Sequence, residues 1–215
     1  LSIYYRIALL LILNNKVPGT VEYTLFKIAQ DIPVLGGVLP QRTAGMSDAE
    51  FWKLQGFRLG SNGLREPYKD FDKRVNAATY IFFMLTTLTL EDILAEASPE
   101  EKSRVAQFSN VFKSKLNYSW MYWNFIKFYS KIPVGLNTPH ILIGFYQASA
   151  YEFRRHSRQV IKLMQIIWNK MIPELDKFGE TIQNRTEKND FKENKMIYLK
   201  LKLGQFAQGN LAQMN

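Results

Sequence analysis

The chain has 215 residues, 47% of them hydrophobic, and a net charge of +9. That apolar content excludes wholesale disorder and is enough for one large domain or two small ones. With no cysteine, a disulfide scaffold, a thiolate metal site and a cysteine nucleophile are all ruled out, while the basic surplus favours phosphate-rich or anionic-lipid partners.

The first fifteen residues, LSIYYRIALLLILNN, hold an apolar run from Ile7 to Leu13 behind Arg6. It is too short to span a bilayer and no small-residue cleavage site follows it. It reads as a docking helix or the remnant of a longer apolar segment. The next stretch, Thr20 to Gln30, spaces Val21, Leu25, Ile28 and Ala29 as a helix does; Pro33 ends it and residues 31–46 read as a loop. Ser47 and Glu50 form a capping box that starts a short helix ending near Gly56. Residues 56–68 are glycine-rich and carry Arg58 and Arg65, which could line an anion-binding nest.

A third helix is expected from about Asp70 to Ala97. Its segment from Val75 to Leu90 has no charge. At 1.5 Å per residue it makes roughly 24 Å of helix, short of the ~30 Å hydrocarbon layer, so a buried core helix is the favoured reading. Ser98-Pro99-Glu100-Glu101 is a strong helix start, and the fourth helix runs to Lys131, where Ile132-Pro133 stops it.

No acidic residue occurs between Glu101 and Glu152, a stretch with twelve aromatics. Val105, Phe108, Phe112, Leu116, Trp120 and Trp123 form one helical stripe; Tyr118, Tyr122, Phe125 and Tyr129 form a second. A helix apolar on two faces is either core on both, or core on one and in contact with lipid or a partner on the other. The second alternative makes Tyr118, Trp120, Tyr122, Trp123, Phe125 and Tyr129 an interface, with Lys113, Lys127 and Lys131 snorkelling beside them.

Thr138-Pro139 opens a fifth helix that runs more than thirty residues, until Pro173 kinks or ends it. It carries Arg154, Arg155, Arg158 and Lys162. The first, third and fourth share a face at i, i+4 and i+8, a row that could track phosphates or lipid headgroups. Glu152 can pair with Arg155 or His156. Residues 185–195 are polar and read as a linker. Beyond them, Ile197, Leu199, Leu201 and Leu203 alternate with polar residues, a strand pattern suited to pairing with a partner's edge, or else the end of an amphipathic helix.

Only two histidines exist, and no phosphate loop, nucleophile elbow or zinc motif occurs. No catalytic or metal residue is expected, and no cofactor beyond a bound lipid. The architecture expected is mainly α: an irregular bundle of about five helices with long loops in residues 1–184, and an extended C-terminal tail, 185–215, able to form a strand. The functional expectation is a non-catalytic accessory subunit of a membrane-associated assembly, in an organellar (mitochondrial) energy-converting complex, with other protein subunits and membrane lipids as partners. The alternatives are a basic helical nucleic-acid-binding or ribonucleoprotein component, and a helical enzyme without a recognisable motif.

Overall fold

A computed structural model describes residues 7, 19–107, 119–131 and 133–207 of the chain. The fold is mainly helical, as expected. Helix α1 (Thr20–Asp31) follows Gly19, whose φ of 89° lets the chain turn sharply into it; a 3-10 turn at Pro33–Gly36 closes the first corner. In α2 (Asp48–Leu54) the capping box is present as expected: Ser47 Oγ accepts from Glu50 N–H, and Ser47 N–H donates to the Glu50 carboxylate at 2.9 Å.

Helix α3 (Tyr68–Thr87) buries Phe71, Val75, Thr79, Phe82 and Phe83, a 3.6-residue stripe that explains the uncharged run as core. It does not reach Ala97. The Thr86 and Thr87 hydroxyls donate back to the Phe83 carbonyl at 2.9 Å, competing with the backbone ladder. Leu88 turns extended, and a second capping box, Thr89 with Asp92, starts α4 (Leu90–Glu96). A third, Ser98 with Glu101, starts α5 (Pro99–Gln107).

Helix α6 (Ser119–Tyr129) packs against α3, and α7 (Thr138–Ile166) packs along α3 in the most extensive helix pair of the described residues. Phe83 is the hub, with edge-on contacts to Phe82, Tyr122, Phe125 and Phe145. Each ring so buried contributes roughly 1.5–3 kcal/mol. At the crossing, a Cβ on Gly144 would meet the Thr79 methyl at 2.8 Å and the Tyr80 backbone nitrogen at 3.1 Å, so the α3 backbone lies almost against it.

The long fifth helix is not continuous. His156 leaves the helical region (φ −135°, ψ 47°) and folds α7 into two arms. The second arm passes into a π-helical stretch, Ile167–Met171. Helix α8 (Ile172–Thr181) then begins with Pro173 in its first turn, where the missing N–H costs nothing.

The C-terminal segment is helical through residue 207, so the strand expectation at 197–203 gives way. Asn184 caps α9 (Arg185–Asn189), a π-helical stretch follows at Asp190–Met196, and α10 (Ile197–Ala207) completes the described chain. Leu199 and Leu203, an i, i+4 pair, are buried, whereas Ile197 and Leu201 are about 60% exposed (59% and 61%). The period-two pattern is therefore two helical faces, one of them packed. Residues 185–203 are tied to the body rather than extended: Arg65 pairs with Glu187 at 2.5 Å, the Tyr68 hydroxyl donates to Asp190 at 3.2 Å, and Lys195 meets Asp72 at 2.6 Å.

Candidate functional site

The aromatic interface expected on α6 is mostly interior. Tyr122, Phe125 and Tyr129 are buried and belong to the main core. The Tyr122 ring stacks on Phe145 at 4.3 Å, and its hydroxyl donates to Ser149 Oγ, which in turn donates to the Phe145 carbonyl. Burial pushes the phenols of Tyr122 and Tyr129 upward, so both stay neutral. Trp123 is half-buried and donates its indole N–H to Glu152 at 3.2 Å. Only Trp120, 61% exposed, faces outward. Tyr118 and Lys113 lie outside the described residues. Among the described residues, Tyr122, Phe125 and Tyr129 pack into the chain's own core rather than facing a partner.

The arginine row is broken for a geometric reason. His156 lies between Arg154 and Arg158, so its departure from helical geometry takes the i, i+4, i+8 set off one face. Arg155, partly exposed itself, reaches down to buried carboxylates. Its guanidinium donates to Asp92 at 2.6 Å, to Glu152 at 3.1 Å and to the Thr87 carbonyl at 2.5 Å, the last being a free C-terminal carbonyl of α3. Burial opposes its charge, but the bonds to Asp92 and Glu152 outweigh burial and raise its pKa. Glu152, fully buried, also accepts from Ser119 Oγ at 2.8 Å. Arg154 lies over the Tyr151 ring, and Arg158 and Lys162 are exposed.

The glycine-rich loop is tied to the chain's own carboxylates. Arg58 pairs with Asp31, and its backbone N–H donates to Glu66 at 2.8 Å. Arg65 packs over Phe57, 4.9 Å from the ring centre, while it pairs with Glu187. Both cations expected to bind an external anion are already matched by carboxylates of this chain.

A free cationic group does exist, at the C-terminal end of α6. Lys127 and Lys131 are exposed, and Lys170, from the π-helical stretch after α7, donates to the intervening Ser130 carbonyl at 3.1 Å. None of the three forms an ion pair among the described residues. The three exposed ammonium groups make this end of α6 locally basic. Lys127 and Lys131 were legible in the sequence. Lys170 was not, because it lies forty residues from Ser130 in sequence and meets it only in the fold. The described residues contain no group of three potential His, Cys, Asp or Glu ligands.

Fold and surface together define, over the described residues, a helical domain in which Asp92, Glu152 and Glu187 are paired internally with arginines, and Lys127, Lys131 and Lys170 lie exposed and unpaired. Residues 6–168 match the family described as GLE1-like protein, and the chain belongs to that family. A chain in the structure described as "S. cerevisiae Dbp5 L327V C-terminal domain bound to Gle1 and IP6" shares its fold, with a TM-score of 0.63 and 14% identity over 97% of this chain. This chain spans 60% of that one. A comparison with curated proteins returns no match.

These findings correct the functional expectation. Family and fold place the chain with GLE1-like proteins, not with the subunits of a membrane-bound energy-converting complex, and the mitochondrial assignment falls with it. No helix of the described residues is long and apolar enough to cross a membrane. The bound lipid and the lipid partner have no support left once the rings of α6 are interior.

Proposed function

We propose that this chain is a Gle1-type helical domain that acts by binding rather than by catalysis, docking on a helicase domain of the Dbp5 kind in mRNA export at the nuclear pore, with an inositol polyphosphate as part of the contact. The observation that carries the reading is the fold: nearly the whole chain follows a chain from a complex that contains Dbp5, Gle1 and IP6, and the family match points to Gle1 as the counterpart. The partner class is therefore protein, as the sequence suggested in its coarser form.

Lys127, Lys131 and Lys170 are the residues of this chain that we assign to the polyphosphate. They are solvent-facing, unmatched and drawn from two elements. Lysine suits this role because a compact ammonium on a flexible stem can follow several phosphates at once. The affinity should be strongly ionic, since exposed charges are screened within about 8 Å at physiological salt.

Titration calorimetry of the whole chain with inositol hexakisphosphate tests the site. Saturable binding that weakens steeply with salt, and weakens about tenfold or more in a Lys127→Ala/Lys131→Ala/Lys170→Ala variant, is the expected result, each tenfold step being about 1.4 kcal/mol. Absence of heat with the unaltered chain at low salt sinks the polyphosphate assignment. Docking is tested separately by capture of a Dbp5-type C-terminal domain with and without the polyphosphate; no capture under either condition sinks the partner reading.

A further inference from the structure

A cavity of about 300 Å3 lies between α3, the first arm of α7 and the second π-helical stretch with the start of α10. That is the lower end of the ~300–1,000 Å3 range of small-molecule sites. Its wall is chemically unusual for a helical crevice: three carboxamides (Asn76, Gln147 and Asn194), two phenols (Tyr80 and Tyr198) and one ammonium, Lys195. The ammonium is matched by Asp72 at 2.6 Å, so the cavity presents balanced charge and does not select phosphate.

The back of the cavity is rigid. Asn76 donates from Nδ2 to Asp72 at 3.2 Å and accepts at Oδ1 from His140 Nδ1 at 2.9 Å. His140 is fully buried and its Nε2 has no partner. The other two carboxamides keep unused capacity. Asn194 donates Nδ2 to Asp190 at 2.7 Å, which leaves its Oδ1 free to accept. Gln147 makes one long hydrogen bond, 3.4 Å to the Tyr198 hydroxyl, which leaves its Oε1 and a second N–H. Asn194 and Lys195 both stand on the seven-residue π-helical stretch, a geometry that recurs at functional sites.

A carboxamide that offers an acceptor and a donor side by side pairs bidentately with the adjacent amino group and ring nitrogen of adenine. Tyrosine rings supply the faces against which a base stacks. We propose that this cavity binds the adenine of a free nucleoside or nucleotide, with Gln147 and Asn194 on the base edge and Tyr80 and Tyr198 at its faces. This site is separate from the lysines assigned to the polyphosphate and stands whether or not that reading does. Because the local charge is balanced, the base carries the affinity: adenosine and adenosine monophosphate bind alike.

Saturation-transfer NMR on the whole chain decides it, using adenosine, adenosine monophosphate, uridine and a short oligo(A). The expected result is equal binding of the first two, uridine at least tenfold weaker, and adenosine weakened about tenfold by Gln147→Ala, in line with the ~1–3 kcal/mol of a bidentate base contact. Gln147 is exposed, so that variant keeps its helical circular dichroism; Asn194→Ala is the second probe. The proposal is overturned if millimolar adenosine gives no transfer, if uridine equals adenosine, if neither variant changes binding, or if only the oligonucleotide binds and does so only at low salt.

Discussion

Arg155 and Asp92 meet at 2.6 Å, and this pair fastens the fold in α7 to the break between α3 and α4. The same guanidinium holds Glu152 and the last carbonyl of α3. Removing it leaves Glu152 buried with only the Ser119 hydroxyl and the Trp123 indole to satisfy it. Arg155→Ala is expected to cost about 1–3 kcal/mol in urea unfolding, because it strips the charged partner from the buried Glu152. Arg158→Ala, on the exposed side of the kink, should stay within about 0.5 kcal/mol. Equal effects of the two would refute the latch.

The stability of the chain should fall in mild acid. Burial, with the nearby Lys195 charge adding to it, pushes the His140 imidazole down to about 3. The unfolded chain takes up that proton near pH 6.5, so below this pH the unfolded state binds more protons and gains on the folded one. The contribution is fully present above pH 6.5 and is lost as pH falls toward 3. By pH 5 the loss is about 2 kcal/mol. In His140→Gln, which keeps a donor for Asn76, the slope of unfolding free energy between pH 6.5 and 5 should flatten; an unchanged slope would assign the acid sensitivity to other groups.

At the crossing of α3 and α7, Gly144→Ala has nowhere to place its methyl group. Helix propensity alone would favour alanine by about 1 kcal/mol, yet overpacking typically costs 1–3 kcal/mol. The backbone of Tyr80 cannot swing aside as a side chain would, so net destabilisation is expected. A rise in melting temperature would show that the helices can part without penalty.

On α6, neighbouring aromatics should behave oppositely. Tyr122→Ala empties a fully enclosed site and should cost about 3–5 kcal/mol. Trp120→Ala, two residues earlier and largely exposed, should change unfolding by about 0.5 kcal/mol or less. Chemical denaturation of the two variants measures both.

Much of the helical frame was legible in the residues. Ser47 with Glu50, Ser98 with Glu101 and Thr138-Pro139 announce helix starts through local chemistry that tertiary packing does not override. The break at Leu88 was hidden because Thr86, Thr87 and Thr89 look helix-compatible one at a time, and act only when their hydroxyls bond to the backbone and to Asp92. The kink at His156 has neither proline nor glycine, and the contacts beside it, from Arg155 to Asp92 and Thr87, come from residues more than sixty positions away. The lysine group near Ser130 joins residues forty positions apart, and so escapes any reading confined to one helix. The aromatic stretch misled because a ring at helical spacing looks the same whether it packs on lipid or on Phe83.

The ties Arg65–Glu187 and Tyr68–Asp190 each close a loop of 122 residues. Closing so long a loop costs on the order of 4 kcal/mol in chain entropy, and contacts of such high sequence separation slow the search for the native state. During synthesis, the face of α3 that carries Tyr68 and Asp72 stays uncovered until residues 187–195 have left the ribosome. Until then, nascent copies are vulnerable to sticking along that face.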